Sequence, residues 1–318
     1  MKPMTKVDIS SEPDFSFLPA ERTCSCPPGR LNCLDREEIL KLSSTVINVQ
    51  RRHRWKESHP ARFIPDVPRK FILLFSHRGE TVLDPFCGSG TTNVEALKLG
   101  RNSIGIDVNP KSVRMAYERL VREVSPEPTH HRVVEGSVLD VLPLVGSEKV
   151  DLIVTSPPYL DVVDYGDDGP EQWGNIHDYG KFLDNMRRAF EAMWRALKSG
   201  GWMVVVTQDV FKKHAKCPIH ADYIFICREM GFEVWSTQVY ILNYSTGGRL
   251  VYGYPTSYYP KNDHEYILVF RKPEGGYAIE RQRSGRCEGD IVGGYGKGYR
   301  GGSGGFQEGP LWYGRGWG

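Results

Sequence analysis

Apolar and polar positions along this chain follow two alternating rhythms. Short apolar, β-branched runs occupy residues 81–84, 103–107, 132–135, 150–155, 202–207, 233–242 and 265–270. Between most of them lie stretches with apolar residues three and four apart, at 91–99, 110–124, 179–198 and 220–230. The first rhythm predicts strands and the second amphipathic helices. Their alternation predicts an α/β architecture, a doubly wound and mostly parallel sheet of seven strands. A Gly/Tyr/Pro-rich stretch without helical pattern joins the last two strands, which predicts an antiparallel hairpin at one edge. Gly200-Gly201 predicts that the long helix stops at Ser199, because glycine tolerates the left-handed backbone of a helix C-terminus. Further helical patterns precede the sheet within residues 36–76.

Composition divides the chain into an N-terminal extension (1–35), the α/β domain (36–273) and a tail (274–318). Gly, Arg, Tyr and Trp dominate the tail. With so few aliphatic residues it cannot bury a core, and it is expected to be disordered. The 318 residues, 40% hydrophobic, suffice for one large domain with appendages. A net charge of +2 does not by itself specify a polyanionic partner, so any nucleic-acid contact must come from local patches. No stretch approaches the roughly 20 apolar residues that cross a bilayer. Residues 1–19 lack an apolar signal core, so a cytoplasmic location without membrane partners is expected. Seven cysteines without a scaffold pattern fit reduced thiols. Cys24, Cys26 and Cys33 lie close together and, with His53, offer four metal-ligating groups; their spacing matches no common zinc pattern, and no metal is expected.

Two segments carry candidate chemistry. In the first, Asp84-Pro85-Phe86-Cys87-Gly88-Ser89-Gly90-Thr91-Thr92, an acid ends a strand, two glycines make a turn and two threonines open a helix. Such a turn brings backbone N–H groups close to a ligand. A dinucleotide fingerprint requires a third glycine where Asn93 stands, and the Gly-Lys-Ser/Thr of a phosphate loop is absent. Asp84 suits a cationic amino-acid moiety better than a pyrophosphate, and Asp107, at the end of the next strand, is placed to accept ribose hydroxyls. S-adenosylmethionine has both features. A tight turn with no ligand is the alternative. In the second segment, Ser156-Pro157-Pro158-Tyr159 follows an apolar strand. Two prolines stiffen the backbone and remove two donors, leaving carbonyls at Ser156 or Pro157 to accept from an exocyclic amine. The Ser156 hydroxyl can join them, and the Tyr159 ring can stack on a planar base. A proline-rich loop with a packed tyrosine is the structural alternative.

These segments resemble the amino-methylating (N4-cytosine/N6-adenine) DNA methyltransferase family over roughly residues 59–272. Residues 84–92 resemble the family's cofactor motif, Thr155-Ser156-Pro157-Pro158-Tyr159 its catalytic motif, and Asn262-Asp263-His264-Glu265-Tyr266 the start of a late His-Glu strand. The resemblance implies a Rossmann-like class I methyltransferase fold and S-adenosylmethionine as cofactor. It also implies direct in-line methyl transfer to a flipped base. Ser at the first catalytic position implies cytosine N4, where Asp or Asn would imply adenine N6. The cofactor motif precedes the catalytic one, whereas many members have the reverse order. Gly136-Ser137 stands where members often carry an acid that contacts adenine. Cytosine C5 methylation would need a nucleophilic cysteine, usually after proline, and no Pro-Cys pair occurs; Cys87 is expected to pack.

Arg51, Arg52, Arg54 and Lys56 form the densest basic cluster and are expected to meet phosphates, with a solvated helix face as the alternative. Residues 211–216 form a weaker second cluster. Recognition loops are expected near 160–178 and 243–262, the latter with Arg249 among several tyrosines. Double-stranded DNA is the expected partner, RNA stays open, and a cognate restriction endonuclease is a further candidate. Adenine N6 methylation, base-amine methylation of structured RNA and a non-catalytic nucleic-acid-binding module are the competing readings.

Overall fold

The computed structural model describes residues 5–9, 13–48, 64–161, 173–212, 215–242 and 262–274. In chain order its elements are β1 (Lys6–Ile9), α1 (Arg36–Leu42), β2 (Val46–Ile47), α2 (Asp66–Phe75), β3 (Thr81–Asp84), α3 (Thr91–Lys98), β4 (Asn102–Asp107), α4 (Pro110–Arg122), β5 (His130–Glu135), α5 (Val138–Val145), β6 (Val150–Thr155), α6 (Tyr179–Ala196), β7 (Leu197–Thr207), β8 (Val210–Lys212), β9 (Ala215–Cys217), α7 (Ile219–Glu229), β10 (Glu233–Ile241) and β11 (His264–Arg271).

The main sheet has the order β1-β5-β4-β3-β6-β7-β11-β10-β2. The central pairs are parallel, while β11 runs antiparallel to both β7 and β10. Alternate residues of each central strand enter opposite cores, as the pleat requires. Leu83, Ile153, Met203 and Val205 face one core with Phe182, Met186 and Phe190 of α6. Val82, Leu152, Val154, Val204 and Val206 face the other with Phe71 and Ile72 of α2. Burial on both faces explains why these strands read as continuous apolar runs. Because β4 and β5 lie to one side of β3, and β6 and β7 to the other, successive crossovers diverge between β3 and β6. That gap is the topological switch point, where doubly wound sheets bind ligands at their carboxyl rim.

All seven expected strands are present, and β1 and β2 extend the sheet beside β5 and β10. Four and two residues long, they carry too little pattern to read from sequence. The N-terminal segment is packed on the domain as well, with Phe15, Phe17 and Leu18 against the larger core. Helix α5 was also missed, because Pro143 sits inside it. Its buried Val138, Val141, Leu142 and Val145 nevertheless keep helical spacing. The expected helix end at Ser199 is corrected: α6 stops at Ala196, and Leu197 already begins β7. Gly200 takes φ +79° inside that strand, where its N–H donates to Lys272 O at 2.8 Å. The glycine therefore serves a kink in the sheet, not a helix cap.

Candidate active site at the carboxyl rim

Strands β3 and β6 are direct neighbours, pairing Val82 with Leu152 and Leu83 with Ile153. The two sequence motifs at their ends therefore meet side by side. One hydrogen bond joins them: the Thr155 hydroxyl donates to Asp84 Oδ1 at 2.8 Å, with both residues buried. The Phe86 N–H also donates to Oδ1, at 3.2 Å, whereas Oδ2 is buried with no hydrogen-bond partner among the described residues. Burial pushes the Asp84 carboxyl up to about 6; bonds from Thr92, Thr155 and Phe86 oppose the rise, and the Asp107 charge adds to it.

Between these strands and α3, the turn is held from several sides. Gly88 and Gly90 adopt φ +48° and +75°, which favour glycine. A Cβ on Gly90 would come within 2.7 Å of Ala116 Cβ on α4, so helix packing itself demands a glycine there. Asp107 Oδ2 accepts from the Gly88 N–H at 2.8 Å, and Oδ1 from the Asn109 N–H at 2.9 Å. Arg119 of α4 donates to Ser89 O at 2.6 Å, to Ser89 Oγ at 2.9 Å and to Thr91 Oγ1 at 3.3 Å. Sequence reasoning missed this clamp; nothing marks one arginine of a helix as facing a turn 30 residues earlier. Asn93, at the missing third glycine, is buried and donates to Ser103 Oγ. Cys87 is buried, and burial first, then the Asp107 and Asp84 charges, raise its thiol well above its ordinary value. A buried neutral thiol is a packing group and not a nucleophile.

At the end of β6, the Ser156 and Tyr159 hydroxyls are hydrogen-bonded to each other at 2.9 Å. Pro157 is buried, while Ser156, Pro158 and Tyr159 are partly exposed. Leu160, fully buried, takes φ +57°, a conformation unfavourable for a branched side chain. It anchors the loop in the core immediately after Tyr159. Phe86 and Trp173 meet at 5.7 Å between ring centroids, in the same core that Tyr159 packs against.

The rim continues across β7 and β11. Because β11 is antiparallel, its first residues lie here, with Tyr266 opposite Thr207. The His220 ring stacks on Tyr266 at 3.9 Å and its Nδ1 lies 2.6 Å from Asp209 Oδ1. Burial alone would raise the Asp209 carboxyl, but His220 and Lys216 hold it below the usual range. Lys216 pairs with Asp209, and Lys212 with Asp161, at 2.9 and 2.7 Å. Two lysines of the second basic cluster are thus engaged with carboxylates of their own chain, while Lys213 and His214 lie outside the described residues. Ser137 caps α5 by accepting from the Leu139 N–H, while Asp140 is exposed on that helix. Arg51, Arg52, Arg54, Lys56 and Arg249 lie outside the described residues, as do His53, most of both expected recognition loops and nearly all of the tail. Among the described residues, Cys24, Cys26 and Cys33 converge on His77, whereas His53, the fourth group that the sequence offered, lies outside them.

Fold and site together define a doubly wound α/β protein of the class I methyltransferase type, with its two chemical motifs at the switch point. The sequence profile of the N6/N4 DNA methylase family matches residues 35–118 and 150–284. The chain belongs to this DNA methylase family. Among its relatives, the Type II methyltransferase M.BglI of Bacillus subtilis is 40% identical over 89 residues, 28% of this chain and 26% of the relative. The tRNA (guanine(10)-N2)-dimethyltransferase of Methanothermobacter thermautotrophicus is 31% identical over 121 residues, 37% of this chain and 34% of the relative. The DNA adenine methyltransferase YhdJ of Escherichia coli is 41% identical over 64 residues, 20% and 22% of the two chains. The matches thus span between about a fifth and a third of the relatives' lengths. Among the described residues, no helix is long and apolar enough to cross a membrane.

Proposed function

We propose that this protein methylates an exocyclic amine of a DNA base, cytosine N4, using S-adenosylmethionine. The observation that carries the reading is the Thr155–Asp84 hydrogen bond, which fixes the amine-pocket motif beside the glycine turn. The residues present fit the cofactor. Asp84 keeps one buried carboxylate oxygen without a partner, suited to the cofactor's ammonium group. Asp107, at the end of β4, is placed to accept from ribose hydroxyls, and the turn 86–92 would line the nucleoside. When bound, the cofactor supplies a sulfonium methyl open to direct attack by an amine nitrogen.

The chain's own residues position that amine. The Ser156 hydroxyl and the Ser156 or Pro157 carbonyl accept its hydrogens, which raises electron density on nitrogen and aims its lone pair. The mutual Ser156–Tyr159 bond orients both side chains before a base arrives. The Tyr159 ring then offers its face to the base, which must leave the stack to reach it. Arg51, Arg52, Arg54, Lys56 and Arg249 supply phosphate contacts in this reading, and residues 162–172 and 243–261 supply sequence recognition.

Cytosine N4 is preferred over adenine N6 because of Ser156. Similarity to a DNA adenine methyltransferase and to a tRNA guanine-N2 dimethyltransferase keeps adenine and RNA as the alternatives. Similarity to Type II methyltransferases also makes a cognate restriction endonuclease a candidate partner. The deciding experiment incubates the protein with methyl-labelled S-adenosylmethionine and either DNA or total RNA, followed by digestion to nucleosides and mass spectrometry. N4-methylcytosine in DNA is the expected product. N6-methyladenine would overturn the base assignment, and label in RNA alone would overturn the substrate.

A further inference from the structure

The amino rim of the sheet, opposite the candidate active site, gathers a second set of chemically capable groups. Cys24, Cys26, Cys33 and His77 each bring one ligating atom within 4.8 Å of all the others. His77 Nδ1 lies 3.4 Å from Cys24 Sγ and 3.5 Å from Cys33 Sγ. For zinc–sulfur and zinc–nitrogen bonds of about 2.3 and 2.0 Å, a tetrahedral site has ligand–ligand edges of roughly 3.5–3.8 Å. The two His77–cysteine spacings match such edges, and Cys24, Cys26 and Cys33 are all free thiols.

The surroundings also suit a metal. His77 Nε2 lies 2.8 Å from the Arg30 carbonyl. Only a ring N–H can make that bond, so the proton sits on Nε2 and the Nδ1 lone pair faces the thiols, the orienting arrangement typical of metal-bound histidines. His77 is buried and the three cysteines are partly so. Arg22 and Arg101 lie within electrostatic reach of Cys24 and Cys33.

We propose that Cys24, Cys26, Cys33 and His77 form a closed, structural zinc site that fastens the N-terminal segment to the amino rim of the sheet. Three soft thiolates with one imidazole in tetrahedral arrangement select zinc, and four protein ligands leave no open position for catalysis. The segment around the cluster also makes direct contacts with the domain. Thr23 N–H donates to Arg78 O at 2.9 Å, Arg22 pairs with Glu80 at 2.6 Å, and Asn32 Nδ2 donates to Leu74 O at 2.9 Å. All three lie beside the same loop, between α2 and β3, that carries His77. Gly79 in that loop takes φ +83°, and a Cβ there would come within 2.5 Å of Glu21 O, so the two segments touch at backbone distance.

The test is metal analysis of the full chain, purified without chelators or immobilised metal. About one zinc per chain is expected. Cys33→Ser and His77→Ala are each expected to retain less than a tenth of that, and Cys217→Ser, outside the cluster, to retain it all. Because a ligand variant can fail to fold, the unmodified chain is also stripped, reduced and titrated with Co²⁺. A thiolate-to-cobalt charge-transfer band with tetrahedral d–d bands, saturating at one equivalent, is the expected spectrum. A chain that is metal-free as purified and shows no such spectrum would overturn the proposal. So would a Cys24, Cys26 or Cys33 disulfide in the freshly purified protein, or full zinc content in His77→Ala.

Discussion

The two rims of the sheet solve opposite problems with similar raw material. At the carboxyl rim, polar groups are positioned but open: Asp84 Oδ2 is buried without a hydrogen-bond partner among the described residues, and Ser156 and Tyr159 remain partly exposed. At the amino rim, Cys24, Cys26, Cys33 and His77 close on one another within 4.8 Å. An open set of groups can bind and release a ligand, whereas a closed set can only hold one. In the proposed reading, the first arrangement costs stability and serves function, and the second serves stability. Asp84 lies at the end of β3 and His77 four residues before its start, so a single short strand separates them.

This contrast can be broken at either end. The largest expected effect is at the amino rim, where stripping the proposed metal should lower the thermal midpoint by about 10 °C or more. Cofactor affinity of the still-folded chain should stay unchanged. Calorimetry and equilibrium binding on one stripped sample check both, and a lost affinity with an unmoved midpoint would reverse the roles of the rims. At the carboxyl rim, Asp84→Ala should weaken S-adenosylmethionine binding by about a hundredfold, the scale of one charge-assisted contact. It should leave the midpoint unchanged or higher, because an incompletely satisfied buried carboxylate is removed. Titration calorimetry and a melting curve decide it.

Tyr159→Ala should reduce turnover by about 10- to 100-fold, the worth of one base–aromatic stack, with cofactor affinity retained. Tyr159→Phe should lose far less, since it keeps the ring and gives up the hydroxyl that meets Ser156. Comparing kcat with cofactor Kd in both variants separates stacking from orientation; equal losses would end the stacking role. Thr155→Val should cost about tenfold in cofactor affinity by removing the donor to Asp84 Oδ1.

The smallest effect is a pH dependence. The Asp84 carboxyl stands at about 6 in the folded chain, above its ordinary value of 3.8. A raised carboxyl contributes stability that is fully present below the unfolded value and is lost as pH rises through about 6. Binding runs the other way, because an ammonium ion favours the ionised carboxylate. Cofactor affinity should therefore fall as pH drops below about 6, by up to about tenfold per unit. Asp84→Asn should flatten the profile. A wild-type profile that is already flat between pH 5 and 8 would remove Asp84 from the ammonium contact.

What the sequence by itself determined are features whose physics is local. Runs such as 150–155 and 202–207 spell buried strands, glycines at 88 and 90 spell a turn needing positive φ, and Ser156-Pro157-Pro158-Tyr159 spells a stiff loop with bare carbonyls. Strand–helix alternation then limited the topology to a doubly wound sheet and brought both motifs to one rim. What only the tertiary structure decided are pairings between distant segments. Thr155 meets Asp84 across 71 positions, because β6 lies beside β3. Arg119 reaches Ser89 because Gly90 lets α4 approach the turn. His77 completes a cluster with Cys33 across 44 positions, which no spacing rule connects. The physical reason is the same in each case: periodicity records which face of an element is buried, but not which side chain another element brings against it.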